Sequence, residues 1–393
     1  MDKKAMNNVK YLKMTKYYDE FLKYFRMATV QQAECNLGKI RHCDSSVEDD
    51  LMKHVELYDV VERKYAGFSQ IVNDCFYGFT EDHPYWDKMK DGIMSKQREI
   101  ISKNWTGKRN VFGVREWMYL FLFHRLTGSA INYSMKPSGY HNTLLFDMHK
   151  ADNIPQMVQI IQQAIRPFYT SIGYQFPSFP KPKGRYKRGG DYFLCEYVPQ
   201  LAEDLTRFLE QGEKKDLREV GDFMFKWNKD RDLRAFKFQY AAVIADIADW
   251  FPEFVNRESP FYYGTNAIEC IEYLATKSIK MPKEDFLDAV MMKIYEDTGS
   301  YPYNAEDVAC DSIRWIENYV KPGADYDHLD FDHVWNSSSI KDHPYGRQKA
   351  MLDLGLVPSF NGITEHPSDD KVIKSLNMTE EQYKQRVKEY YGL

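Results

Sequence analysis

The sequence predicts a mainly α-helical, multi-helix globular protein. Apolar residues recur at helical spacing, helix start and stop signals punctuate the chain, and alternating strand-type runs are scarce. Residues 1–95 alternate apolar and charged positions in helical fashion, as in 17–25 and 52–68, and form a helical N-terminal region. Residues 96–325 form a helical core. Within it, 113–126 reads as a buried helix, and Asn153 with Pro155 opens the next, with Met157, Ile160, Ile161, Ala164 and Ile165 on one face. Pro167 ends that helix, because the residue before a proline leaves the helical region. The segment 192–209 carries its stripe at Leu194, Tyr197, Val198, Leu201, Leu205 and Phe208, and Pro199 should kink or split it. A further helix, 236–251, stops at Pro252. Asn266 with Glu269 forms a capping box for 267–277, and Asn304 with Asp307 caps 305–320. After Pro322 and Gly323 the chain turns acidic and loop-rich, so 326–393 is a C-terminal extension ending in a short helix capped by Thr379 and Gln382.

Composition narrows the function classes. Hydrophobic content of 43% and charged content of 28% are ordinary for a packed protein, so disorder is not expected. Aromatic content of 15% is high; core packing accounts for most of these rings, and stacking on a nucleobase is their other use. Six cysteines lie far apart with no C-x-x-C pair, which reads as reduced thiols in a cytoplasm. The longest apolar run, 117–123, is too short to span a bilayer, and the Lys-rich start lacks the apolar run of a signal peptide. No membrane association is expected.

The net charge of −5 hides an asymmetry. Residues 101–190 hold 13 Lys and Arg against three acids, Glu116, Asp147 and Asp152, so that segment is +10 and the remainder −15. Concentrated positive charge on an acidic body is the footprint of one polyanion-binding face. Its sharpest part is the loop 178–191. Lys181, Lys183, Arg185, Lys187 and Arg188 crowd there around Tyr186, braced by Pro180 and Pro182. Gly184, Gly189 and Gly190 let the backbone approach a ligand, and the loop delivers the chain to a helix start, where free N–H groups favour phosphate oxygens. No Walker loop is present. The loop is either a DNA-backbone or pyrophosphate clamp, or a solvated surface loop.

Two further constellations could carry chemistry. Arg115, Glu116 and Trp117 open an aromatic helix that closes with His124 and Arg125, followed by a small-residue turn with Ser129, Asn132 and Tyr133. Glu116 and His124 lie two turns apart, and either could take a proton; a core histidine, or one balancing the helix dipole, is the alternative. Glu196 and Glu203 share a helix face beside Asp204, as a solvated surface or a base site. The pairs Asp246–Asp249 and Glu306–Asp307 are further candidates for metal or base roles, the latter for a helix N-terminus. Nucleophile-elbow, kinase, Rossmann and zinc-deaminase patterns are absent.

The glycine-led stretch from Gly190 through Asp191, Tyr192, Phe193 and Glu196 to Asp204 and Leu205 resembles a motif of the phage thymine-hypermodification enzymes. These are the alpha-glutamyl/putrescinyl thymine pyrophosphorylases, or amino acid:DNA transferases. Arg109 to Phe112 with Glu116 and Trp117, and Ala305 to Asp311, resemble two other stretches of that family, so the likeness spans roughly 100–320. The resemblance implies an all-helical fold related to helix-hairpin-helix DNA glycosylases, with Arg188 to Asp191 standing where a hairpin would lie. It implies a transferase, in the cytoplasm of an infected bacterium, that acts on double-stranded DNA carrying 5-(pyrophosphoryloxymethyl)uracil and replaces pyrophosphate with an amino acid or amine. Lys181, Lys183, Arg185, Lys187, Arg188 and Arg109 would meet the leaving group and DNA; Trp117, Tyr133 and Tyr140 would wall the flipped base. Asp204, Glu196, His124 or Glu116 would take the proton, while Arg125, Ser129 and Asn132 would hold the amino acid. No cofactor is implied, apart from Mg²⁺ as a companion of the pyrophosphate. A glycosylase-like base-excision enzyme and a non-catalytic nucleic-acid-binding protein are the competing readings.

Overall fold

The computed structural model describes residues 3–36, 112–127, 151–162, 184–186, 189–321, 379, 381 and 382. Helix makes up 71% of them, so the protein is mainly helical. The predicted helix 52–68 lies outside the described residues. Contacts divide the chain into two interleaved units, where composition suggested three successive regions. One holds described residues 3–36, 212–222 and 244–321; the other holds 112–127, 151–162, 184–186, 189–211, 223–243 and the three near the C-terminus. Among the described residues, two of the divisions fall inside the helices Leu217–Lys229 and Ala241–Trp250, and a third falls at 211/212 between helices.

The first unit is built around four helices. Thr15 accepts the N–H of Tyr17 on its Oγ1 at 3.2 Å and so caps the helix Lys16–Asn36. That helix sinks Tyr18, Phe21, Tyr24, Phe25 and Ala28 into a core shared with the helices Thr265–Leu274, Lys283–Thr298 and Pro302–Trp315. Ahead of it, Leu12–Met14 pairs antiparallel with Ala275–Lys277, Leu12 opposite Lys277. This ladder explains one departure from expectation. The helix predicted over 267–277 ends at Leu274, because the next three residues extend to pair with the N-terminal strand.

Its start also differs. Gly264 is the N-cap, no Asn266–Glu269 box forms, and the Gly264 N–H is met by Glu306 Oε1 at 3.0 Å. Glu306, 1% exposed, therefore serves a helix N-terminus as expected of an acid there, but the N-terminus of another helix. Its own helix begins at Pro302 rather than at 305, since proline at the first turn presets φ, and Asn304 is buried within that turn. A π-turn, Ile316–Val320, continues it to the predicted end. The 283–298 helix opens with Glu284 and Asp285 in its first turn and closes at Gly299, whose φ of 74° suits a residue without a Cβ.

Within this unit Arg218 lays its guanidinium fork on Asp288 at 2.9 and 2.6 Å and donates Nε to the Phe261 carbonyl at 2.9 Å. Tyr263 donates its hydroxyl to the same carboxylate at 2.8 Å. Burial pushes the Asp288 carboxyl up, and the Arg218 guanidinium beside it pulls the other way. One turn further along the 217–229 helix, Gly221 makes room for the Tyr262 ring, whose hydroxyl donates to the Arg218 carbonyl and to Asp222 Oδ1 at 2.9 and 2.7 Å.

In the second unit the helix Val114–Thr127 is buried on every side from Trp117 to Phe123, and the helix Val198–Glu210 packs against it. Asn153 caps Ile154–Gln162 as predicted, accepting the Gln156 N–H at 3.0 Å; the extension of that stripe to Ile165 lies outside the described residues. The expected 236–251 helix begins as a 3-10 turn, Lys237–Tyr240, before the α-helix Ala241–Trp250 stops ahead of Pro252. Near the C-terminus the predicted cap is present: Thr379 donates its N–H to Gln382 Oε1 at 2.9 Å, and Gln382 returns its own to Thr379 Oγ1 at 3.2 Å.

A Cβ on Gly221 would stand 2.3 Å from Tyr262 Cε2 and 3.1 Å from Ile244 Cδ1. Gly221→Ala should therefore lower stability by about 1–3 kcal/mol despite alanine's better helix propensity, as measured by urea unfolding. A gain in stability would show that the Tyr262 ring moves aside at little cost.

A candidate nucleic-acid interface and catalytic site

Pro199 shapes the site. An α-helix would ask it for an N–H to the carbonyl of Cys195, which it lacks, and its ring would strike that carbonyl. The chain answers with the short helix Gly189–Tyr192, a π-turn over Phe193–Tyr197, and a fresh helix from Val198. The widened turn is closed by the Val198 N–H bonding back to the Phe193 carbonyl. The predicted stripe is intact: Leu194, Tyr197, Val198, Leu201 and Leu205 are buried, and Phe208 stacks on Phe223 with ring centroids 4.4 Å apart. Turns of this type are enriched at functional sites, and this one carries Cys195 and Glu196.

Around the π-turn lies a ledge of rings and cations. Arg185, fully exposed, donates Nη2 to the Tyr186 hydroxyl at 3.1 Å, with its guanidinium 5.2 Å from that ring's centroid. Tyr186 meets Tyr192 at 5.8 Å between centroids. Burial raises the Tyr192 phenol; Glu196 pushes it further and Arg231 opposes, so both charges act on one ring. Glu196 also acts electrostatically on Arg185. Burial and the nearby Asp191 push the Cys195 thiol up, which makes it a poor nucleophile.

Asp204 sits one segment further on and is held from three directions. Trp227 donates Nε1 to Oδ2 at 2.7 Å, Arg231 donates Nη2 to the same oxygen at 3.3 Å, and Arg207 reaches Oδ1 at 3.3 Å. Arg231 in turn covers the Trp227 indole, its guanidinium 3.8 Å from the ring centroid. Glu203 is taken by Arg207. Beneath this layer Tyr197 stands edge-on to Trp227 and shares a buried network with Asn228 and Tyr240: Tyr197 Oη lies 2.9 Å from Asn228 Oδ1 and 2.8 Å from Tyr240 Oη. Burial pushes both phenols up, so they act as neutral hydrogen-bonding groups that fix where the ledge stands.

Of the predicted set, Glu196 acts electrostatically on Arg185, and Asp204 connects to them through Arg231, which also acts on the Tyr192 ring. Glu116 is buried and paired with Arg115 at 2.8 Å. Trp117 and Arg125 are interior side chains, 0% and 3% exposed. Arg109, Ser129, Asn132, Tyr133, Tyr140, Lys181, Lys183, Lys187 and Arg188 lie outside the described residues, as does the side chain of His124. Asp249 is held in the first unit by Tyr303 at 2.7 Å and Arg257 at 3.3 Å. Among the described residues no group of three or more His, Cys, Asp or Glu gathers as metal ligands, and no helix is long and apolar enough to cross a membrane.

Trp227, Arg231 and Arg207 were missed from sequence. Trp227 lies on the 217–229 helix and Arg231 in the turn that follows, four residues on, a spacing visible in the chain, but their meeting with Asp204 depends on how that helix packs. Comparison with known protein families, characterised proteins and solved structures finds no match to this chain.

Asp204→Ala strips the acceptor from a nearly buried indole N–H and from Arg231. It should cost about 1–3 kcal/mol in denaturant unfolding, with Trp227 fluorescence reporting the loosened ring. An unchanged midpoint would show that Asp204 holds nothing in place.

Proposed function

We propose that the protein is a DNA-modifying transferase that replaces the pyrophosphate of 5-(pyrophosphoryloxymethyl)uracil with an amino acid or another amine. The observation that carries this reading is the ledge itself: a glycine-flanked, cation-bearing loop leads within a few residues to an acidic side chain on a π-turn, with aromatic rings between them. The likeness to the thymine-hypermodification family gives the reaction class.

In the proposed step the amine nitrogen attacks the exocyclic methylene carbon. The carbon–oxygen bond to pyrophosphate breaks, and its electron pair leaves on the phosphate oxygen. Growing charge on that oxygen is met by Arg185 and the other cations of the 181–188 loop, a task suited to fixed positive groups. The nitrogen must lose a proton, and Glu196 is the proposed base. Asp204 is the proposed positioning residue, since three donors already occupy its oxygens. Arg125 and Trp117 are left to packing, because both lie in the interior.

The test uses the full chain, DNA bearing the pyrophosphorylated base, and mixed amino acids, followed by digestion and nucleoside mass spectrometry. An amino-acid adduct supports the proposal; abasic sites would mean base excision, and unchanged nucleosides would remove the catalytic reading. Arg185→Glu should weaken DNA binding about ten-fold or more at low salt and flatten its salt dependence. Glu196→Gln should leave DNA binding intact and slow adduct formation by about 10²–10⁴-fold. Full turnover in that variant would move the base role elsewhere.

A further inference from the structure

The helix Leu217–Lys229 ends in a way that fixes the following loop. Leu233 donates its N–H to the Asn228 carbonyl at 2.9 Å and Asp232 donates to Lys229 at 3.1 Å, the paired bonds of a left-handed helix stop. Asp232 supplies the required conformation, with φ of 55°. Four residues on, the backbone is held again. The Phe236 N–H donates to Gln239 Oε1 at 3.2 Å, and the Gln239 N–H returns to the Phe236 carbonyl at 3.2 Å, with Gln239 itself buried. A loop pinned at both ends nevertheless turns a large apolar ring to solvent. Phe236 is 40% exposed, and Arg234 lies over it with the guanidinium 5.4 Å from the ring centroid.

The charge around the ring is one-sided. From Lys226 to Lys237 five cations, Lys226, Lys229, Arg231, Arg234 and Lys237, face two acids, Asp230 and Asp232. Lys226 is paired with Asp230, and Arg231 is engaged with Asp204 and Trp227. Lys229, Arg234 and Lys237 are exposed; Arg234 lies over the ring and Lys237 follows Phe236 directly in the chain. An exposed phenylalanine alone needs no explanation. One whose backbone is pinned and whose surroundings are cationic has the make-up of a stacking platform for unpaired bases, with phosphates met by the flanking charges.

We propose that the 230–237 loop is a second DNA contact, in which Phe236 stacks on a base freed from its pair while Lys229, Arg234 and Lys237 meet the neighbouring phosphates. This rests on the DNA reading above but not on the transfer chemistry. It extends that reading to the choice of substrate: the protein should favour DNA that is locally opened, because an aromatic side chain that fills a gap in the stack offsets the cost of unpairing.

The test compares two duplexes of equal length, one intact and one with a central mismatched bubble containing 2-aminopurine. Binding to the full chain is followed by polarisation and by 2-aminopurine fluorescence. The wild type should bind the bubble more tightly and quench the probe. Phe236→Ala should weaken bubble binding about ten-fold and abolish the quench while leaving intact-duplex binding unchanged, and Phe236→Trp should restore both. Because the ring is exposed, thermal unfolding should match the wild type in both variants. Bubble binding of Phe236→Ala equal to wild type overturns the proposal, as does DNA-free self-association that disappears in Phe236→Ala. A wild type that forms no adduct but shows Phe236-dependent bubble binding would overturn the transferase reading and leave this inference standing.

Discussion

Pro199 has no amide hydrogen to give, and the candidate site follows from how the chain accommodates that. A continuous helix from Gly189 to Glu210 would leave the Cys195 carbonyl without its usual donor and pressed by the pyrrolidine ring. The segment instead holds a π-turn over Phe193–Tyr197, closed by the Val198 N–H on the Phe193 carbonyl. Within that turn Glu196 acts electrostatically on Arg185 and Tyr192, while Tyr197 joins the buried network with Asn228 and Tyr240. Within five residues the turn thus holds both the candidate base Glu196 and the buried Tyr197.

The polar groups of this unit sort by how fully they are engaged. Tyr197, Asn228 and Tyr240 are buried and mutually bonded, so they hold a geometry rather than react. Asp204 is intermediate: partly exposed, yet bound by an indole and two guanidinium groups. Glu196 sits outside that mesh, in the irregular turn. A base needs an oxygen ready to accept a proton, so the roles proposed for Glu196 and Asp204 are distinguished by their partners rather than by their residue type.

Much of the architecture was readable because it depends on neighbours in sequence. The caps at Asn153 and Thr379, the break at Pro199 and the buried stripe from Leu194 to Leu205 need only local chemistry and helical spacing. The helix ends at Gly264 and Leu274 were misplaced because a distant segment intervened, and the start at Tyr301 because a nearer local signal, Pro302, took precedence. Glu306 caps Gly264, the strand Leu12–Met14 claims residues 275–277, and Pro302 starts its helix before Asn304 can act. The basic loop was visible as charge, but the cations that hold Asp204 come from outside it. Arg231 and Trp227 lie on a stretch whose net charge is modest beside that of the 101–190 segment.

The sequence by itself determined the helical class, the irregularity in the 189–210 segment and the location of one strongly basic stretch. These depend on backbone chemistry and on residue order, which the chain carries explicitly. The tertiary structure alone decided that each unit gathers segments far apart in the chain, that Trp227 and Arg231 converge on Asp204, and that Phe236 is turned outward on a pinned loop. Those outcomes depend on which helix faces pack together. Packing is a sum over contacts between residues far apart in the chain, and no local pattern encodes it.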